Sequence, residues 1–185
     1  MQVKGIGIKT TRDFVKENFA HKYDLWLQSL PNESRKIYEN NIGLADWYDA
    51  KYAYYIPFEK LLGFFYKNNF NEGADVVGRF SAEKALRGIY RVFLIAATPQ
   101  YLMKKAVSMM NAYYKPANID VNSYSRNQVT FYIHEFDGIS EAMEYRMAGW
   151  CSRALELCGC DEVSYQFETQ LSRKEANTVI NFRWV

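Results

Sequence analysis

Nucleophilic hydrolysis needs a serine or cysteine held beside a base, most often a histidine. The sequence holds only two histidines, His21 and His134. His21 falls beside the apolar stripe of a helical segment, and His134 stands next to Glu135 and Asp137 at a strand end. Both read as structural or exposed side chains, and no Gly-x-Ser-x-Gly elbow accompanies them. Ser81-Ala-Glu-Lys84 matches Ser-x-x-Lys, but the companion elements of those acyl enzymes are missing, so Ser81 reads as a helix N-cap.

Phosphate and metal chemistry fare no better. Gly5-Ile-Gly7 lacks a third glycine at the required spacing and a preceding strand, and no Walker pattern exists. Cys151, Cys158 and Cys160 do not form two Cys-x-x-Cys pairs, and a tetrahedral zinc site would need a distant fourth ligand. Cys151 and Cys158 fall on the apolar face of a helix and read as small buried hydrophobes. The carboxylates Asp161 and Glu162 sit at a turn, where solvation accounts for them. Arg87 and Arg91 stand one turn apart on a helix, as a solvated flank or as partners of an acidic headgroup. Gly88 and Gly149 fall inside helices, where close packing is the plain explanation. No enzyme is expected.

The elements that must position these side chains follow from periodicity. Phe14, Val15, Phe19, Tyr23, Trp26, Leu27 and Leu30 recur at helical spacing from Thr11 to Leu30, where Pro31 ends the run. A short helix over 33–40 precedes an aromatic patch of Trp47, Tyr48, Tyr52, Tyr54 and Tyr55, and Pro57 opens another helix to Lys67. Ala82, Ala85, Leu86, Ile89, Tyr90, Phe93, Leu94 and Ala97 predict a central helix stopped at Thr98-Pro99. Leu102 to Tyr113 gives the next one. After Pro116 the period changes to two: Ile119 to Ser123 pairs with Val129 to Ile133, and Val163 to Phe167 with Ile180 to Trp184. Between the hairpins lies a helix from Ile139 to Leu157 with Gly159 at its C-terminal stop. The expected class is α+β, with N-terminal helices packed on a four-stranded antiparallel sheet of β-β-α-β-β order.

Length and composition agree with one compact unit. The chain has 185 residues, read as a single domain over 1–185 with a helical part, 1–115, and a β-β-α-β-β part, 116–185. A net charge of +2 argues against a phosphate backbone as partner, and aromatics at 17% suit a large core, an interface or a pocket. The three cysteines crowd into ten residues, which suits a reducing compartment better than a disulfide framework. Met1 to Thr11 has no signal-peptide core and no apolar run of membrane-spanning length occurs, so a soluble cytoplasmic protein is expected.

Several stretches carry a family resemblance: Trp47-Tyr48 with Tyr55 and Phe58 to Leu62, Gly78-Arg79 with Ala82, and Gly88-Ile-Tyr-Arg91 with Thr98-Pro99. Gly149-Trp150 with Leu155-Glu-Leu-Cys-Gly159 and Phe182-Arg-Trp184 complete them. In these the chain resembles a group of bacterial proteins of unknown function, of about this length and common in myxobacteria. That group is similar to the superfamily of haem nitric-oxide binding domains, 4-vinyl reductase domains and TRAPP transport-particle subunits. The resemblance implies helices followed by a β-β-α-β-β unit and, in many members, an apolar or aromatic molecule, a haem or an acyl chain held between helices and sheet. It also implies departures. Arg87 stands where the haem domains have their ligating histidine, and the Tyr-x-Ser-x-Arg signature is absent around Asn122 to Arg126. Leu171 and Val179 occupy roughly the positions of zinc-binding cysteines, and no early helical cysteine matches the acylated cysteine of TRAPP subunits. Neither haem nor zinc is expected, and no other cofactor.

The leading expectation is a non-catalytic sensor or carrier module for signalling, binding an apolar or aromatic small molecule or lipid between helices and sheet. Its ligand-binding residues would be Ile89, Tyr90, Phe93, Met110, Tyr113, Met147 and Trp150. The alternative is a dimeric scaffold or docking protein with a filled core, its interface built on the aromatics around Trp47 and Tyr54. A homodimer or protein partner is expected, and nucleic acid is not.

Overall fold

The computed structural model describes residues 1–67, 69–88, 90–94 and 98–185, with the side chains of residues 123 and 124 outside that description. The chain opens with strand β1 (Gln2–Lys4) and helix α1 (Gly5–Asn18), followed by α2 (Tyr23–Gln28) and α3 (Asn32–Glu39). The single helix expected over Thr11 to Leu30 is therefore two. Phe19 leaves helical geometry at φ −138°, which lets its ring stack on Phe65 at 4.0 Å. His21 falls in the short exposed turn between α1 and α2 rather than on a helix.

Strand β2 (Trp47–Asp49) runs into a π-helical turn, Lys51–Tyr55, and then α4 (Ile56–Phe65). The strands β1, β2 and β3 (Tyr114–Lys115) form a small sheet in the order β2-β1-β3, with Val3 opposite both Tyr48 and Tyr114. A strand does precede Gly5, contrary to expectation, because three residues are too few to register as alternation.

Helix α5 (Phe70–Arg87) begins earlier and ends sooner than the expected central helix. Gly88 takes ψ −121°, outside helical geometry, and Arg91–Leu94 forms a short 3-10 turn, so Tyr90, Phe93 and Leu94 do not continue α5. Ala97 lies outside the described residues. Ser81 is no N-cap: it is buried within α5, where its hydroxyl donates to the Val77 carbonyl at 2.8 Å. Arg87 pairs with Glu83 at 2.9 Å on the exposed side of α5, and Arg91 is exposed.

Helix α6 (Pro99–Tyr113) starts on Pro99, with the Thr98 hydroxyl accepting from the Tyr101 amide at 3.2 Å. Helix α7 (Glu141–Leu157) is capped in the same way by Ser140, which accepts from the Met143 amide. It ends in a glycine at φ +92°, Gly159, where the Cys160 amide donates back to the Leu155 carbonyl at 3.1 Å. Strands β4 (Ala117–Ser125), β5 (Gln128–Phe136), β6 (Ser164–Thr169) and β7 (Thr178–Arg183) form an antiparallel sheet in the order β4-β5-β7-β6. Phe131 and Phe167 both face Ile180 in register, and Val129, Phe131, Ile133, Ile180 and Phe182 are fully buried. The fold is α+β, with helices followed by β-β-α-β-β, as expected.

Helices α5 and α7 pack on one another along their lengths. Arg79 bonds Asp75 at 2.7 Å and Glu156 at 2.6 Å, while Arg153 reaches Glu83 at 2.7 Å and Glu156 at 2.9 Å. Burial opposes a charge on Glu156, but the hydrogen bonds from Arg79 and Arg153 outweigh it and hold its carboxyl below the ordinary value. Among the described residues no helix is long and apolar enough to cross a membrane.

Candidate functional site

A cavity of about 70 Å³ lies where α1, α5, α6 and α7 converge. Helix α1 contributes Ile6, Gly7 and Thr10, α5 contributes Ser81 and Ala85, and α6 contributes Met109, Met110 and Tyr113. Arg146, Met147 and Trp150 of α7 complete the wall with Tyr54, Tyr90 and Tyr114. None of the described lining residues belongs to the four-stranded sheet, so the space lies among helices and not between helices and sheet.

Five of the residues expected to line a pocket, Tyr90, Met110, Tyr113, Met147 and Trp150, are brought together here. Phe93 does not line the cavity; it stacks on Tyr90 with ring centroids 5.5 Å apart and planes 8° from parallel. Ile89 lies outside the described residues. Sequence reasoning missed Tyr54 and Arg146. The π-helical turn rotates Tyr54 out of a plain helical register and into the interior, where it is 2% exposed. It is thereby withdrawn from the surface on which a docking interface was expected. The signal for Arg146 was present, since it falls within the apolar stripe of Met143, Met147 and Trp150, where a charge has no business unless it has work.

The polar part of the site is compact. Arg146 donates to Thr11 at 3.1 Å, to Ser81 at 3.4 Å and to Thr10 at 3.5 Å, and its guanidinium lies 4.7 Å from the ring centroids of both Tyr54 and Phe58. The Tyr54 and Tyr114 hydroxyls meet at 2.8 Å. Burial, with the neighbouring Tyr54, pushes the Tyr114 phenol well above its ordinary value, so it stays protonated. The Tyr113 hydroxyl is inaccessible to solvent and has no hydrogen-bond partner among the described residues. No nucleophile stands beside a base in this constellation.

The cavity does not fit a haem. No histidine or cysteine is among its described lining residues, and His134 lies on the exposed side of β5, stacked on Tyr132. A tyrosine or methionine can ligate haem iron, but the Tyr54 and Tyr114 hydroxyls are committed to each other, and about 70 Å³ is far less than a porphyrin needs. Among the described residues no cluster of three or more His, Cys, Asp or Glu side chains could hold a metal ion. Cys151 is buried, Cys158 half-buried and Cys160 buried, and none forms a disulfide. Burial, with Cys158 and Asp161 adding to it, pushes the Cys160 thiol up to about 11.

No family model and no curated protein sequence matches the chain. Solved structures do. An H-NOX protein from S. oneidensis in the Fe(II)NO ligation state superposes with a TM-score of 0.74 at 11% identity, over 98% of this chain and 99% of that one. The Fe(II) unliganded H-NOX protein from K. algicida gives 0.68 at 13% identity, over 98% and 96%. A variant of T. tengcongensis H-NOX gives 0.65 at 12% identity, over 98% and 97%. The chain thus has an H-NOX-like fold from end to end. At these identities the likeness speaks for the fold alone.

Proposed function

We propose that this chain is a non-catalytic sensor or carrier module, and that the cavity among α1, α5, α6 and α7 receives an apolar or aromatic small molecule in place of a haem. One observation carries the reading. In a fold shared with H-NOX proteins, one of them solved in an Fe(II)NO ligation state, the helices meet around a space instead of closing on it, and the walls are largely methionine and aromatic side chains. Methionine adapts its shape to an occupant, and Tyr and Trp supply rigid apolar faces with polar edges. A space of about 70 Å³ is about half of what a benzene-sized occupant takes, so a ring enters only with movement of Met109, Met110 and Met147 that enlarges it.

Native mass spectrometry of the protein isolated from its own cells tests this. A small molecule retained under native conditions and lost on denaturation is the expected result. Identical native and denatured masses, together with no binding of apolar molecules added afterwards, would overturn the reading.

A further inference from the structure

We propose that the occupant of this cavity is a carboxylate: an apolar molecule of roughly single-ring size whose carboxylate rests on the Arg146 guanidinium while its body lies among the methionines and Trp150. The proposal rests on the cavity reading above and adds the chemical class of the ligand.

Arg146 is 4% exposed and lines the cavity. A guanidinium remains charged at any physiological pH, and a buried charge without a counter-charge is strongly unfavourable. Yet among the described residues the groups that bond or stack on it are all neutral: three hydroxyls and two aromatic rings. Among the described residues no carboxylate lies within ion-pair distance of it. The partly exposed arginines of α5 and α7, Arg79 and Arg153, are each paired with two carboxylates. Glu144, the other buried charge of α7, is engaged elsewhere, accepting from the Gln170 amide group at 2.9 Å and from Ser172 and Thr178.

The hydroxyls around Arg146 do not require it. Thr10 and Thr11 donate to the Gly7 carbonyl and Ser81 donates to the Val77 carbonyl, so each hydroxyl proton is satisfied within its own helix. Arg146 is therefore poorly explained as structural cement. A planar carboxylate would supply the missing charge, with the two oxygens that a guanidinium fork accommodates. Tyr113, another residue of the cavity wall, also has a buried hydroxyl with no hydrogen-bond partner among the described residues. The remaining walls are mostly apolar, which favours a carboxylate with a hydrocarbon body over a free inorganic anion.

The test titrates the full chain by calorimetry and thermal shift with benzoate, phenylacetate and isovalerate, each beside its neutral amide, and with inorganic phosphate. Wild type should bind at least one acid about tenfold or more tightly than its amide. Arg146→Met should abolish that preference while melting at or above wild type without ligand, because it removes an unpaired buried charge. Arg146→Lys, which keeps the charge and loses the fork, should retain an intermediate preference. Equal binding of acid and amide by wild type would overturn the carboxylate and leave the cavity reading standing; no binding by any member of either series would overturn both. Acids binding Arg146→Met as tightly as wild type, or phosphate competing as well as the acids, would also overturn the proposal.

Discussion

Gly78 on α5 and Gly149 on α7 bring the two helices together backbone to backbone. A Cβ on Gly78 would stand 2.0 Å from the Arg146 carbonyl oxygen, and one on Gly149 would stand 2.3 Å from the Asp75 carbonyl oxygen. This contact sets the separation of the helices that carry Ser81 and Ala85 on one side of the cavity and Arg146, Met147 and Trp150 on the other. Gly78→Ala or Gly149→Ala should destabilise the fold by about 2 to 3 kcal/mol or more, because backbone cannot step aside as a side chain can. Gly63 in α4 has nothing among the described residues within 4 Å of its Cβ position, so Gly63→Ala should stabilise by about 0.5 to 1 kcal/mol. Urea midpoints of the three variants check both signs.

Phe93→Ala should lower stability by about 1 kcal/mol, well under the roughly 3 to 5 kcal/mol of a filled core position, since Phe93 is half-buried and its main aromatic partner is Tyr90. It should weaken ligand binding more than folding, because Tyr90 lines the cavity and loses the ring stacked against it. Chemical denaturation showing a full core-sized loss would place Phe93 in packing alone.

Stability should fall under alkaline conditions. Burial raises the phenols of Tyr38, Tyr55, Tyr114 and Tyr165 and the thiols of Cys151 and Cys160 above their ordinary values. Above the unfolded-chain values the folded state binds more protons than the unfolded one. The contribution is thus fully present below about pH 8 and is lost as pH climbs through 9 to 11 and beyond. Urea midpoints that stay level from about pH 8 to about pH 11 would contradict this.

Titration of the purified protein with haem should give no stoichiometric, saturable Soret band, as the described cavity residues include no histidine or cysteine ligand. Saturation at one haem per chain would mean that the cavity opens far beyond its present size.

The legible parts of the fold were those with long, uninterrupted periodicity. Helix α7 shows its stripe from Met143 through Trp150 and its glycine stop at Gly159, and β5 alternates through Val129, Phe131 and Ile133. The same periodicity places Met110, Tyr113, Met147 and Trp150 on inward faces, which is why they meet. Chain reversal defeated it elsewhere: Tyr90 and Phe93 keep helical spacing across Gly88 although the helix has ended. Strands of two or three residues, as in β1 and β3, are too short to alternate, and their pairing with β2 is a tertiary event. Arg146 was overlooked because a charge is ordinarily assigned to solvent. Only the packing of α1, α4 and α5 around it reveals that it is buried among neutral groups.

The central claim concerns where a small molecule sits, and the six methionines report on it. Met109, Met110 and Met147 line the cavity, whereas Met1, Met103 and Met143 do not. With methyl-labelled methionine, titration with the aromatic acids and amides should shift the NMR resonances of Met109, Met110 and Met147 in a saturable way and leave Met1, Met103 and Met143 in place. Binding that moves the second group and spares the first, or no saturable shift of any methyl, would contradict a ligand site among these helices.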